Sequence, residues 1–187
     1  MDKKDKLQCH FISNTHWDRE WRFSARRTQH MLGYMLDMLL DILDKYPDYK
    51  HFHLDSQTMP VQDYLEVYPE KKEKFQKYVK EGRIAVGPWF CLPDDFTVGS
   101  EALIRNLLLG HKQGKEMGGV SKTGYSPFGW GQISQLPQIY SGFAANCKFI
   151  GKTEPRTNCN SAFFYVFLKF FFLFRVYFKV ILNRHCL

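Results

Sequence analysis

A histidine and an aspartate two positions apart form the sharpest chemical signal in the chain. His16 and Asp18 lie in the string N-T-H-W-D-R-E-W at residues 14–21, directly after a short apolar segment. Residues i and i+2 of an extended segment point to the same side, so an imidazole nitrogen and a carboxylate oxygen can converge on one ion. Both groups are zinc ligands, although a zinc site needs about four. The alternative is a loop whose charges pair with one another, Arg19 with Glu20 or Asp18.

The elements around this string alternate between short strands and helices. Apolar runs predict strands at residues 7–13, 51–54, 83–90 and 122–125. Apolar residues at three- and four-residue steps predict helices from about residue 24 to Pro47, then at 61–68, 70–81, 101–117 (with Ser100 as N-cap) and from 134. This alternation is typical of an α/β domain with a mainly parallel sheet.

Ligands of such domains collect at the carboxyl ends of the strands. The loops at residues 14–21, 91–99 and 126–132 all follow predicted strands. The sequence therefore predicts that these three loops form one site.

The distribution of charge argues against a nucleic-acid partner. The whole chain carries a net charge of +7, but residues 144–187 hold seven of the lysines and arginines and one acid. The remaining residues are close to neutral, so no basic face for phosphates is indicated.

The tail at residues 144–187 differs in character from the rest. Its segment 162–182 is almost entirely apolar and aromatic and is long enough to cross a bilayer. Lys169, Arg175 and Lys179 oppose insertion. We interpret the tail as non-homologous sequence, such as a frameshift or read-through would produce; the alternatives are a membrane anchor and a buried strand pair.

The cysteines indicate neither a disulfide framework nor a cysteine zinc site. There are five, an odd number, and no two stand in a C-x-x-C spacing. The first residues are charged and are followed by no apolar core of a signal peptide. Free thiols without an export signal favour the cytoplasm.

Several motifs resemble one known family. The string H-W-D-R-E-W at residues 16–21 resembles the opening motif of glycoside hydrolase family 38, the zinc α-mannosidases, and most of all the bacterial branch that includes mannosylglycerate hydrolases. Further resemblances follow in order: L-D-S-Q-T at 54–58 with D-Y-L-E at 63–66 (L-D-G-Q-T…E-D-Y-L-E in the family), G-P-W-F at 87–90 with R-N-L-L at 105–108, and Q-L-P-Q-I-Y at 135–140.

The resemblance covers about residues 7–143. It implies that residues 1–143 are part of a family 38 N-terminal domain, the beginning of an irregular parallel β/α barrel. The tail at 144–187 lies outside it.

The resemblance also implies a mechanism. Zinc binds two neighbouring hydroxyls of a mannose ring, and retaining hydrolysis uses a carboxylate nucleophile and a carboxylic acid. His16 and Asp18 correspond to the first two zinc ligands. Trp21 would be a platform for the apolar face of the sugar, with a core tryptophan as the alternative. Asp94 would accept a sugar hydroxyl, with a loop carboxylate beside Asp95 as the alternative.

The pattern fails at the nucleophile. The family has an aspartate that also binds zinc in a P-D-S-F-G string, whereas this chain has Phe128 or Ser126 there, depending on the alignment. The resemblance stops near Phe143, before the general acid and the last zinc histidine. We therefore expect a fragment of an enzyme that hydrolyses α-mannosides or mannosylated small molecules, inactive alone. The alternatives are a non-catalytic zinc- or carbohydrate-binding remnant and a protein anchored through 162–182.

Overall fold

The computed structural model describes residues 8–126, 132–144, 146–150, 161–170 and 174–183, with side chains described within 12–126 and 132–144. The described strands form a five-stranded sheet and a separate two-stranded sheet. In chain order the strands are β1 (Gln8–Asn14), β2 (Phe52–His53), β3 (Ile84–Ala85), β4 (Thr123–Tyr125), β5 (Asn146–Ile150), β6 (Ser161–Phe170) and β7 (Phe174–Asn183).

Helices connect the strands in the first two thirds of the chain. They are α1 (Ala25–Lys45), α2 (Met59–Val67), α3 (Lys72–Lys80), α4 (Ser100–Met117) and α5 (Leu136–Gly142), with a 3-10 turn at Pro69–Lys71. Each strand from β1 to β4 is thus followed by at least one helix, which confirms the predicted α/β class.

Helix α1 illustrates how the sequence pattern becomes the core. Its apolar residues recur at three- and four-residue steps, so one face is apolar along its whole length. That face is buried, and α3 packs against it; the cluster includes Leu32, Leu36, Leu39, Leu43, Phe75 and Tyr78. Pro47 follows the helix closely, because proline cannot donate the next helical hydrogen bond.

The five-stranded sheet has the order β3-β2-β1-β7-β6. Strands β1, β2 and β3 are parallel to one another, whereas β7 is antiparallel to β1 and β6 is antiparallel to β7. The sheet is therefore mixed, with a parallel part that matches the prediction. Asn14 pairs with His53 at the ends of β1 and β2, so the residues that follow these strands emerge side by side. The predicted barrel stays a prediction.

Two local predictions differ from the structure in detail. The strand predicted at 83–90, with a break at Gly87-Pro88, forms only at Ile84–Ala85. At the predicted break, Gly87 adopts a positive φ of 69° that turns the chain out of the ladder. A single bridge between Gln57 and Trp89 follows it. Ser100 is the first residue of α4, and the extended Gly99 is its N-cap.

A second, smaller core joins α4 and α5 to the strand ends. Trp89 is fully buried there with Leu103, Leu107, Leu136 and Tyr140. The indole N–H of Trp89 donates to the carbonyl of Tyr125, at 3.1 Å, and so ties the segment after β3 to the end of β4.

The tail contributes an antiparallel strand pair, β6 and β7, which is one of the arrangements expected for it. Within the described ranges, no helix combines the length and the apolar character needed to cross a membrane. The origin of the tail and the domain boundary at residue 143 stay predictions.

Candidate metal and substrate site

His16 lies between two carboxylates. Its Nε2 is 3.2 Å from Oδ1 of Asp18, and its Nδ1 is 2.7 Å from Oδ2 of Asp55. Asp18 follows β1 and Asp55 follows β2, so the parallel pairing of these strands brings the three side chains together. The predicted convergence of His16 and Asp18 is present, and Asp55 joins it.

The two carboxylates act on the protonation of His16. Burial of the imidazole lowers its pKa, but the hydrogen bond and charge of Asp55, together with Asp18, outweigh burial and raise the pKa of His16. Burial also raises the pKa of Asp55, against the opposing effect of His16. A metal ion that binds Nε2 displaces a proton that these carboxylates stabilise, so metal affinity should rise with pH.

The separation of the two predicted ligand atoms suits zinc. A tetrahedral ion with bonds of about 2.0–2.2 Å holds two ligand atoms about 3.4 Å apart. Nε2 of His16 and Oδ1 of Asp18, at 3.2 Å, can therefore contact one ion after a small adjustment. Among the residues that the structure describes, no group of three or more His, Cys, Asp or Glu side chains is placed to hold a metal. His16 and Asp18 fit as two ligands of an incomplete set.

An open cavity of about 360 Å³ lies beside these ligands. This volume is near the lower end for small-molecule sites, which measure about 300–1,000 Å³. Cys91 is one of the residues that line the cavity. Burial raises the pKa of its thiol, which therefore stays protonated at neutral pH. The cavity is lined by residues from the loops after β1, β2 and β3: His16, Trp17, Asp18, Arg19, Glu20, Gln57, Met59, Cys91 and Leu92.

The other predicted site residues do not line this cavity. Trp21 is 68% exposed with the Arg22 guanidinium 4.9 Å from its ring centre, so the alternative of a core tryptophan is wrong. Asp94 is half-buried, and its Oδ1 accepts the backbone N–H of Phe96 at 3.2 Å, as a loop carboxylate would. The substrate roles of Trp21 and Asp94 stay predictions.

The nucleophile position is described only in part. Ser126 is buried directly after β4, and its carbonyl accepts a hydrogen bond from the Gln132 side chain at 3.2 Å. Phe128 lies outside the described residues. The one described candidate, Ser126, carries no carboxylate.

The structure does not show the alternative considered for Arg19, a pairing with its neighbours in the loop. Arg19 forms a two-pronged bridge with Asp63 of α2, at 2.9 and 3.1 Å, rather than pairing with Glu20 or Asp18. Asp63 is buried, and 44 residues separate it from Arg19. Such a distant pair leaves no spacing signal in the sequence. Asp55 directly follows a predicted strand, but only the pairing of β2 with β1 places it at His16.

We expect the Arg19–Asp63 bridge to stabilise the fold. The Arg19→Met variant keeps the aliphatic stem but leaves the buried Asp63 carboxylate unpaired. Because the Arg19 side chain is 55% exposed and water can reach this position, the change should cost about 1–2 kcal/mol of the free energy of unfolding. Urea denaturation at neutral pH measures this loss. The double variant Arg19→Met/Asp63→Leu should recover most of it, and Arg22→Met should change little. A single variant as stable as Arg22→Met would show that the bridge contributes nothing.

Comparisons with known proteins identify one family. The family model described as the glycosyl hydrolases family 38 N-terminal domain matches residues 6–158. A protein of Halalkalibacterium halodurans named "Putative mannosylglycerate hydrolase" is 35% identical over 157 residues, which are 83% of this chain and 18% of that protein.

Two solved structures from Enterococcus faecalis are also similar. One, an alpha-mannosidase, is 38% identical to this chain and has a TM-score of 0.69. The match covers 72% of this chain and 15% of the mannosidase chain. The other, a protein of glycosyl hydrolase family 38, is 35% identical with a TM-score of 0.61 over 70% of this chain and 15% of its own.

This chain therefore spans less than a fifth of the length of these relatives. The match of the family model reaches past residue 143, to residue 158. Because that model matches most of the chain, the chain belongs to glycoside hydrolase family 38.

Proposed function

We propose that this chain carries the zinc-binding strand ends of an α-mannosidase-type glycoside hydrolase. The observation that carries the proposal is the convergence of His16 Nε2 and Asp18 Oδ1 beside an open cavity. Membership of family 38 supports the reaction class, and the similar mannosidase and mannosylglycerate hydrolase support a mannoside substrate.

His16 and Asp18 would hold the ion from one side, while the cavity receives the sugar. When bound, zinc supplies positive charge that anchors two neighbouring hydroxyls of the mannose ring. Glu20 lines the cavity and can accept a hydrogen bond from a further hydroxyl. Trp21, which is exposed beyond the cavity, would contact the apolar face of the sugar, and Asp94 would accept a hydroxyl.

We also propose that this chain alone does not turn over mannosides. Retaining hydrolysis needs two carboxyl groups about 5–5.5 Å apart on either side of the scissile bond. Neither Ser126 nor Phe128, the two residues aligned with the nucleophile, supplies a carboxylate. A serine without an adjacent base is a weak nucleophile, so binding of metal without turnover is the expected behaviour.

Zinc titration by calorimetry tests the proposal. We expect one zinc site in the chain, with affinity reduced at least 100-fold in His16→Ala and Asp18→Ala. The matched control is His51→Ala, because His51 is exposed at the opposite end of β2 and bonds to the carbonyl of Gly82. Equal zinc affinity in the His16 and His51 variants would refute the assignment. Replacing zinc with cobalt tests whether cysteines bind the metal, because thiolate ligands of cobalt give an intense charge-transfer absorption. We expect no such absorption.

Hydrolysis of an aryl α-mannoside, with and without a chelator, tests the turnover part. We expect hydrolysis at the uncatalysed background rate both with and without the chelator. Hydrolysis that disappears on chelation or in His16→Ala would show instead that this chain is an active enzyme.

A second candidate function is non-catalytic binding of zinc and carbohydrate. The buried Ser126, which carries no carboxylate at the position aligned with the nucleophile, favours it. Titration of methyl α-mannoside into the zinc-loaded chain separates the two candidates. Saturable binding without turnover favours the binding protein, whereas zinc capture without sugar binding favours part of a larger active site.

A further inference from the structure

We propose that Asp55 is a positioning residue that orients His16 for metal binding. This inference rests on the proposed zinc function and goes beyond it, because it gives a role to a residue that does not line the cavity. Asp55 accepts the Nδ1–H of His16 and so presents the lone pair of Nε2 toward Asp18. The geometry that carries the proposal is the row of three side chains, Asp55, His16 and Asp18.

The two ring nitrogens of His16 face different carboxylates. Nδ1 is 2.7 Å from Asp55, and Nε2 is 3.2 Å from Asp18. A neutral imidazole carries its proton on one nitrogen, and the shorter contact favours Nδ1 as the donor. Nε2 then carries the lone pair, which is the state that a metal ligand requires. A carboxylate behind a histidine serves this purpose in many metal sites.

The carboxylate of Asp55 is itself held in place. Its Oδ2 also accepts the backbone N–H of Trp17 at 3.3 Å and the side-chain amide of Gln57 at 3.1 Å. The same Gln57 amide donates to the carbonyl of Trp17, and its Oε1 accepts the backbone N–H of Leu92. The loops after β1 and β2 thus meet at one buried oxygen of Asp55, and Gln57 links them to the loop after β3. Only 2% of the Asp55 side chain is exposed.

The backbone at Asp55 has an uncommon conformation. Asp55 and Ser56 both have positive φ, 47° and 56°, although neither is a glycine. Residues other than glycine rarely adopt a positive φ, and this conformation persists where the surrounding structure requires it. Here it turns the chain after β2 so that the Asp55 carboxylate reaches Nδ1 of His16.

Nitrogen-detected NMR of the histidine rings tests the orientation without any metal. At a pH where His16 is neutral, we expect the parent chain to carry the His16 proton on Nδ1. Asp55→Ala should give a mixture of the two tautomers. Asp55→Asn should keep the parent tautomer, because the donors from Trp17 and Gln57 hold an oxygen toward the ring.

Zinc affinity of the same variants tests the consequence for the metal. We expect a 10- to 100-fold loss in Asp55→Ala and a smaller loss in Asp55→Asn. The matched control is Asp37→Ala, which removes a hydrogen-bond acceptor from Tyr64 in the core but does not touch His16. It should change neither the tautomer nor the zinc affinity.

The outcomes separate the two proposals. If Asp55→Ala keeps both the parent tautomer and the parent zinc affinity, the positioning role is overturned. If the parent binds no zinc, the proposed function fails, and the tautomer measurement alone decides whether Asp55 orients the ring. Should Asp55→Ala not fold, Asp55→Ser replaces it, because its hydroxyl keeps a polar group in this buried loop but ends farther from Nδ1 than the carboxylate does.

Discussion

The Gly110→Ala variant should lose about 3 kcal/mol or more of its free energy of unfolding. A Cβ at this position of α4 would lie 2.2 Å from the carbonyl oxygen of Pro88, 2.4 Å from the carbonyl carbon of Trp89 and 2.6 Å from the nitrogen of Phe90. All three are backbone atoms, which cannot rotate away as a side chain can. Overpacking usually costs about 1–3 kcal/mol, and a clash with backbone belongs at or above the upper end.

This clash would reach the candidate site. The side chain of Asn106, one helical turn before Gly110, accepts the backbone N–H groups of Phe90 and Cys91 at 2.8 and 3.1 Å and donates to the Cys91 carbonyl at 2.7 Å. If α4 moves outward, these bonds break and the Cys91–Leu92 wall of the cavity shifts with it. Zinc affinity should then fall along with stability.

Urea denaturation of Gly110→Ala beside Gly142→Ala measures the effect. Gly142 ends α5, and a Cβ there would meet nothing within 4 Å. The helical propensity of alanine should leave this control equal to the parent or slightly more stable. Equal stability of the two variants would mean that α4 does not approach the 88–90 segment closely.

The Asp95→Asn variant should be more stable than the parent at pH 8 by about 3 kcal/mol, and no more stable at pH 4. Asp95 is 4% exposed, and among the described residues neither of its carboxyl oxygens finds a hydrogen-bond partner. Burial, with a smaller effect of the charge of Asp94, raises the pKa of Asp95 to about 6. Removal of the ionisable group removes the cost of burying its charge.

The direction of the pH dependence follows from proton binding. The unfolded chain releases this proton near pH 4, about two pH units before the folded chain does. Any stabilising effect of the protonated carboxyl is therefore present below pH 4 and is lost as the pH rises through about 6. Two units correspond to about 3 kcal/mol at pH 8.

Denaturation of both chains from pH 4 to pH 8 tests this prediction. The difference between Asp95→Asn and the parent should grow with a midpoint between the two pKa values. Asp48→Asn is the matched control, because the Asp48 side chain is fully exposed and its removal should leave the curve unchanged. A constant difference between Asp95→Asn and the parent at every pH would show that Asp95 titrates normally.

The sequence by itself determined the helices, the α/β class and the two predicted metal ligands. These features depend on short spacings: the three- and four-residue steps of α1 place its leucines on one face, and the two-residue step from His16 to Asp18 turns both side chains the same way. Propensity and periodicity act within one element, so they can be read along the chain. The family motifs added the reaction class for the same stretch.

Only the tertiary structure decided which distant residues contact His16 and Arg19. Asp55 reaches His16 across 39 residues and Asp63 reaches Arg19 across 44, because β2 pairs beside β1 and α2 packs over the loop that follows β1. The burial of Asp95 and the close approach of Gly110 to the 88–90 segment likewise depend on how helices and loops pack. Contacts between distant residues depend on strand order and packing, and no local pattern of residues encodes them.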